Sequence, residues 1–182
     1  MSLDRARVLK EAAALLSRKG TASMDEIAKA AGISRATLHR HFAGRDALVR
    51  ALEQLGIEQF EQALERARLE EGDAAEALRR LVVCAEPVAG LLSFLYTENQ
   101  LFELEVNEGW NRLDARVQAL FLRGQEEGAF RVDLSPAWLT DALYGLIASG
   151  AWAVHDGRVA AKDLTRVICE LLLGGARRRA ER

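Results

Sequence analysis

Apolar residues return at helical spacing along almost the whole chain. Val8, Leu9, Ala12, Leu15 and Leu16 make a first stripe, which Gly20 closes. A short helix is expected over about residues 24–31, with Ser23 as its N-cap and Gly32 as its breaker. Ser34 caps a third helix, about residues 35–42. After Gly44, Asp46 starts a long fourth helix to about Arg68, with Leu48, Leu52, Leu55, Phe60 and Leu64 on its apolar face. Gly72-Asp73 opens the next, about residues 74–86, and Pro87 must kink or restart it because proline lacks a donor N–H. A further helix is expected over about 88–96. The acidic stretch 97–108 carries a weaker pattern. A long helix over about 109–127 ends at Gly128. Residues 130–134 read as an extended connection, and Ser135-Pro136 is a strong start signal for a helix to about His155. The last helix is expected over about 162–173, loosened by Gly174-Gly175, with Arg177-Arg178-Arg179 as a frayed tail. The pattern predicts an all-α fold of about nine helices.

The 182 residues suffice for a small domain plus a larger one, divided here as 1–46 and 47–182. Hydrophobic residues make up 49% and charged residues 29%, as in ordinary globular proteins. The first helix is interrupted by charge and resembles no signal peptide, and no apolar run reaches bilayer length, so a cytoplasmic protein that does not enter a membrane is expected. Cys84 and Cys169 lie in apolar helical patterns without CxxC spacing, which fits free thiols in a reducing compartment. Net charge is −2 overall, but its distribution is uneven. Residues 1–50 hold ten basic and five acidic side chains, and the remainder holds fifteen basic and twenty-two acidic. A basic head on an acidic body points the head toward a polyanion.

Residues 24–42 read as helix, glycine turn, helix. Ala28 is small where the second helix crosses, and Gly32 can adopt the positive φ of a short turn. Ile27, Ala31, Ile33, Leu38 and Phe42 face inward. Arg35, Ala36, Thr37, His39 and Arg40 are left on the outer face or at the N-terminal end of the third helix, and such a helix fits the DNA major groove. An ordinary helical hairpin is the competing reading, against which the basic outer face counts. His39 and His41 point to different faces and form no metal pair.

On Thr21, Ile27-Ala28, Ala31-Gly32-Ile33-Ser34, Thr37-Leu38, His41-Phe42, Arg45 and Leu48, the chain resembles the TetR family of bacterial transcriptional regulators. Beyond residue 50 only helix order and length agree. Ala36 stands where the family usually has glycine, His39 where it has tyrosine, and Arg45 where it often has lysine. The resemblance implies that Arg35 and Arg40 read base edges and that Ala36 approaches a thymine methyl. It makes Thr37 and His39 phosphate-binding and Arg45 a phosphate clamp at the start of the fourth helix. Thr21, Ser23 and Ser34 complete the DNA-contacting set.

One helix-turn-helix reads few bases, so a homodimer on a double-stranded operator is expected. Leu139, Leu143, Leu146 and Ile147, with Leu164, Ile168 and Leu171, form two stripes suited to a four-helix interface, unless they face only their own core. The resemblance places a small-molecule pocket among the middle helices. Phe94, Phe102, Trp110, Leu113, Val117, Phe121, Tyr144 and Trp152 are its candidate lining, with Leu91 and Leu95 beside them. Glu98, Glu103, Glu105 and Glu108 form either a solvated acidic face or an attractor for a cationic effector. No nucleophile–base pair, metal cluster or phosphate-cradling loop is found, so neither an enzyme nor a cofactor is expected. The function implied is a repressor released from its operator by a small-molecule effector. A helical interaction adaptor without specific DNA binding is the alternative.

Overall fold

The computed structural model of the chain describes residues 3–102 and 108–176, with the side chains of 5–98 and 108–176. Nine α-helices and two single 3-10 turns carry the described residues: α1 (Leu3–Leu16), α2 (Met24–Ala30), α3 (Arg35–His41), α4 (Arg45–Ala67), α5 (Ala74–Ala85), α6 (Ala89–Phe102), α7 (Glu108–Glu126), α8 (Pro136–His155) and α9 (Leu164–Ala176).

Local chemistry sets the head. The Ser23 hydroxyl accepts from the Glu26 N–H while the Glu26 carboxylate accepts from the Ser23 N–H, a closed capping box on α2. The Ser34 hydroxyl accepts from the Thr37 N–H at 3.1 Å and starts α3. Each such cap contributes about 1 kcal/mol. Between the two helices Gly32 sits at φ +65°, a conformation that a side chain would strain.

Two hydrophobic cores share α4. Its Leu48, Val49 and Leu52 close the first core with α1, α2 and α3, and its Ile57, Phe60, Ala63, Leu64 and Ala67 belong to the second. The expected division at 46/47 falls at one end of this helix, whereas the change of core comes inside it, around Gly56. The first core is completed by Leu91, Phe94 and Leu95 of α6. The second is built from α4, α5, α7, α8 and α9, with Ala89 of α6 joining it.

Two elements differ from the sequence reading. Pro87 lies in the 3-10 turn Glu86–Val88, and α6 then runs on to Phe102 across the start of the acidic stretch. α9 continues through Gly174-Gly175, because buried Ala176 is held there by the Arg131 N–H donating to its carbonyl at 2.8 Å. The connection expected at 130–134 is pinned in place: Phe130 is fully buried against Phe121, and the Gln125 amide donates to the carbonyls of Arg131 and Leu134.

The proposed dimer stripes need correction. Leu139, Leu143, Ile147, Leu164 and Ile168 are buried in the chain's own second core, and Leu146 is half-buried against it, because α8 packs between α6, α7 and α9. Of that set only Leu171 is open, at 64% exposure; on α8 the large outward side chain near the start is instead Trp138, at 59%. Cys84 and Cys169 are free, and burial pushes the Cys169 thiol up from its ordinary value. No helix among the described residues is long and apolar enough to cross a membrane.

Candidate nucleic-acid interface and ligand cavity

α3 is anchored on one side by fully buried Leu38, which leaves Arg35, Ala36, His39 and Arg40 exposed together on the other. Arg40 donates to the Thr37 hydroxyl at 3.1 Å, and Ser34 and Thr37 share a 3.0 Å hydrogen bond. Arg35 pairs with Asp25 of α2 at 3.2 Å, but both side chains are about two-thirds exposed (65% and 63%). A pair so solvated contributes about 0–1 kcal/mol and is readily exchanged for another acceptor. Thr21 and Ser23 are exposed just before α2. Beside them Lys19 and the Ser23 cap hold the Glu26 carboxyl down to about 2.

Arg45 departs from its expected role. Its guanidinium turns inward, donating to the carbonyls of Ala22 (2.9 Å) and Gly20 (2.8 Å) and to the Glu98 carboxylate of α6 (3.0 Å). Two of these acceptors are in the α1–α2 loop that carries Thr21 and Ser23. Glu98 is buried, so the acidic stretch begins with a side chain that faces the head rather than solvent.

A cavity of about 210 Å³ opens between α4, α6, α7 and α8. Its aromatic wall is Phe60, Trp110 and Tyr144, with the Phe60 and Tyr144 rings edge-on at 5.6 Å and Phe60 and Trp110 tilted at 6.4 Å. Leu92, Leu95 and Ile147 add apolar surface, and Tyr96 stands at its margin. Glu53 of α4, Asp114 of α7 and Asp141 of α8 supply carboxylates. The Tyr144 hydroxyl donates to Asp114 at 2.9 Å. Burial, opposed by that hydrogen bond and reinforced by Asp141, raises the Asp114 carboxyl above its ordinary value. Burial and the Asp114 charge also raise the Tyr144 phenol, which stays protonated.

Of the expected ligand residues, Trp110 and Tyr144 line this cavity. Leu113, Val117 and Phe121 are fully packed core instead, on the face of α7 turned to its neighbours. Phe94 and Trp152 border a second hollow of about 640 Å³ beside the α1–α2 loop and Arg45. The side chain of Phe102, with Glu103 and Glu105, lies outside the described residues. The sequence reading missed Glu53, Asp114 and Asp141. Each reads as part of a solvated helix face, and only the packing of α4, α7 and α8 brings them to one cavity.

Residues 8–52 match the family described as bacterial regulatory proteins, tetR family. The HTH-type transcriptional regulator NfxB of Pseudomonas aeruginosa is 32% identical over 173 residues, covering 93% of this chain and 92% of NfxB. The HTH-type transcriptional repressor LfrR of Mycolicibacterium smegmatis is 29% identical over 154 residues, covering 84% of this chain and 80% of LfrR. The crystal structure of LfrR in complex with proflavine matches with a TM-score of 0.77 and 26% identity over 94% of this chain and 95% of that one. PfmR of Thermus thermophilus matches with a TM-score of 0.70 and 27% identity, over 94% of this chain and 100% of that one.

Proposed function

The chain belongs to the TetR family of bacterial regulatory proteins, and on that premise we propose that it is a DNA-binding transcriptional repressor that a small-molecule effector releases from its operator. The observation that carries this reading is the basic, open face of α3. Arg35, Ala36, His39 and Arg40 project from a helix whose other side is locked by Leu38.

In this reading Arg35 and Arg40 meet base edges, where a bidentate arginine–guanine contact contributes about 1–3 kcal/mol of discrimination. Ala36 lets the helix approach closely. Thr37, His39, Thr21, Ser23 and Ser34 offer donors to phosphates at the rim. Arg45 acts one step back, by holding the α1–α2 loop in place. Two copies are needed to reach successive major grooves, about 34–36 Å apart. The outward side of α8 and α9, with Trp138 and Leu171, is the surface proposed for pairing them.

The effector site is the cavity between α4, α6, α7 and α8, and the proflavine complex of LfrR supports a small-molecule role for the corresponding domain. Coupling is then the difference in effector affinity between the DNA-competent and released shapes of the dimer. Leu95 is placed to transmit it, since it packs into the head core and also lines the cavity.

Gel-shift titration of the purified protein against the DNA upstream of its own gene tests the proposal. Preferential binding over scrambled DNA, weakening steeply with salt, is the expected result. Equal binding to both sequences, or none, refutes it and favours an interaction adaptor.

A further inference from the structure

The cavity that the proposed regulation makes the effector site has an unusual charge balance. Three helices each send it one carboxylate: Glu53 from α4, Asp114 from α7 and Asp141 from α8. No basic residue lines it, and none of the three carboxylates has an ion-pair partner among the described residues. Elsewhere the same chain pairs its acids readily, as in Glu98 with Arg45, Glu127 with Arg123 and Asp163 with Arg166. Asp114 has only the neutral Tyr144 hydroxyl as a donor, which orients its charge without cancelling it. Asp114 is half-buried without a counter-charge, which is costly, and Glu53 and the exposed Asp141 add like charge beside it, so an arrangement of this kind favours a positive occupant.

The remaining lining selects among cations. No three acidic or histidine side chains among the described residues are grouped to hold a metal ion, so the negative charge is spread around the walls rather than focused on one point. Between the carboxylates stand Phe60, Trp110 and Tyr144, whose ring faces attract positive charge, and Leu92, Leu95 and Ile147, which favour an apolar body. A hydrated inorganic ion satisfies neither wall, and an anion meets three like charges.

We propose that this cavity binds a lipophilic organic cation, its charge held among Glu53, Asp114 and Asp141 and its apolar body against Phe60, Trp110 and Tyr144. The proposal rests on the effector reading of the cavity and adds the charge class of the ligand. It also assigns Asp114 and Asp141 as the residues that discriminate by charge.

The test compares two probes of nearly the same shape, 10-methylacridinium, a fixed cation, and acridine, uncharged at pH 8, by calorimetric titration of the full chain without DNA. The cation is expected to bind at least tenfold more tightly than acridine, and tetraphenylborate, an anion, not to bind measurably. In the Asp114→Asn/Asp141→Asn protein the cation-to-acridine affinity ratio is expected to fall toward one. The ratio is the readout because general damage to the cavity lowers both affinities together. Asp141→Asn alone, at an exposed position, is expected to give an intermediate ratio even if the double variant does not fold. A ratio near one in the native protein, an unchanged ratio in Asp141→Asn, or no binding of either 10-methylacridinium or benzyltrimethylammonium overturns the proposal. Operator release is scored separately with benzyltrimethylammonium. Specific operator binding with release only by uncharged compounds sinks the cation site and spares the repressor reading. Cation selectivity in a protein that ignores its operator does the reverse.

Discussion

Glu98→Gln and Arg45→Met, alone and together, test whether the inward pair ties the DNA-binding head to α6. Two unit charges about 4 Å apart attract by about 4 kcal/mol at an intermediate effective dielectric. Removing Glu98, whose side chain is only 12% exposed, from water offsets part of that attraction. Arg45 is 33% exposed, so solvent screens the pair further. A net coupling of about 1–2 kcal/mol follows, between the roughly 0.2–1 kcal/mol of surface pairs and the 3–5 kcal/mol lost when a fully buried pair is broken. Glu98→Gln keeps the shape and a carbonyl acceptor, so it is expected to cost about 1–2 kcal/mol, or roughly 2–8 °C in Tm. Arg45→Met also abandons the carbonyls of Gly20 and Ala22 and leaves Glu98 buried alone, so its cost is expected to be larger. Urea unfolding of the four proteins gives the coupling directly. Additivity within about 0.3–0.5 kcal/mol would show that the pair is decorative and refute the reasoning. The salt dependence of operator binding adds a second discriminator. An internal tie leaves the slope of Arg45→Met unchanged, whereas a phosphate clamp would lower it by about one unit.

Arg35→Ala is expected to relax sequence preference at one operator position at a cost of about 1–3 kcal/mol, measured by binding to a set of single-base operator variants. Asp114→Asn is expected to raise Tm at pH 7, because burial and the neighbouring Asp141 disfavour the charged form of the native carboxyl and the amide carries no charge to bury. That advantage should shrink as the pH falls through the raised native value, and vanish below the ordinary carboxylate range where both side chains are neutral; a constant difference across pH would count against it. Gly56→Ala places a Cβ against Leu95 Cδ1 and should drive that side chain toward the cavity. The added bulk is expected to weaken 10-methylacridinium binding at least threefold while changing stability by less than about 2 kcal/mol, since helix propensity offsets some of the crowding. Leu171→Glu is expected to lower the sedimentation mass toward a single chain without reducing helix content, which circular dichroism checks.

The head was readable in sequence because its rules are local. A cap at Ser23 and another at Ser34, a glycine where φ is positive and a small residue at a crossing each leave a mark within a few positions. The end of α6 was not, because Glu98 looks like any surface acid until Arg45, 53 residues away, is seen to receive it. The cavity carboxylates were hidden for the same reason: no single-helix pattern separates a solvated Asp141 from one that borders a hollow. The apolar stripe on α8 is legible in sequence, but its period does not tell a partner's surface from the chain's own core. Leu139, Leu143 and Ile147 serve the chain's own core, and the open surface is marked only by scattered residues such as Trp138 and Leu171, which leave no period to detect.

The seat that α6 provides for the head limits how modular this protein is. Grafting residues 1–52 from a relative onto this body would bring a foreign α1 and α4 surface onto Leu91, Phe94 and Leu95, which evolved against another partner. Hybrid repressors built from this scaffold therefore need those three α6 positions exchanged along with the head. Without that exchange, a transplanted reader would keep its operator preference while losing its response to the effector.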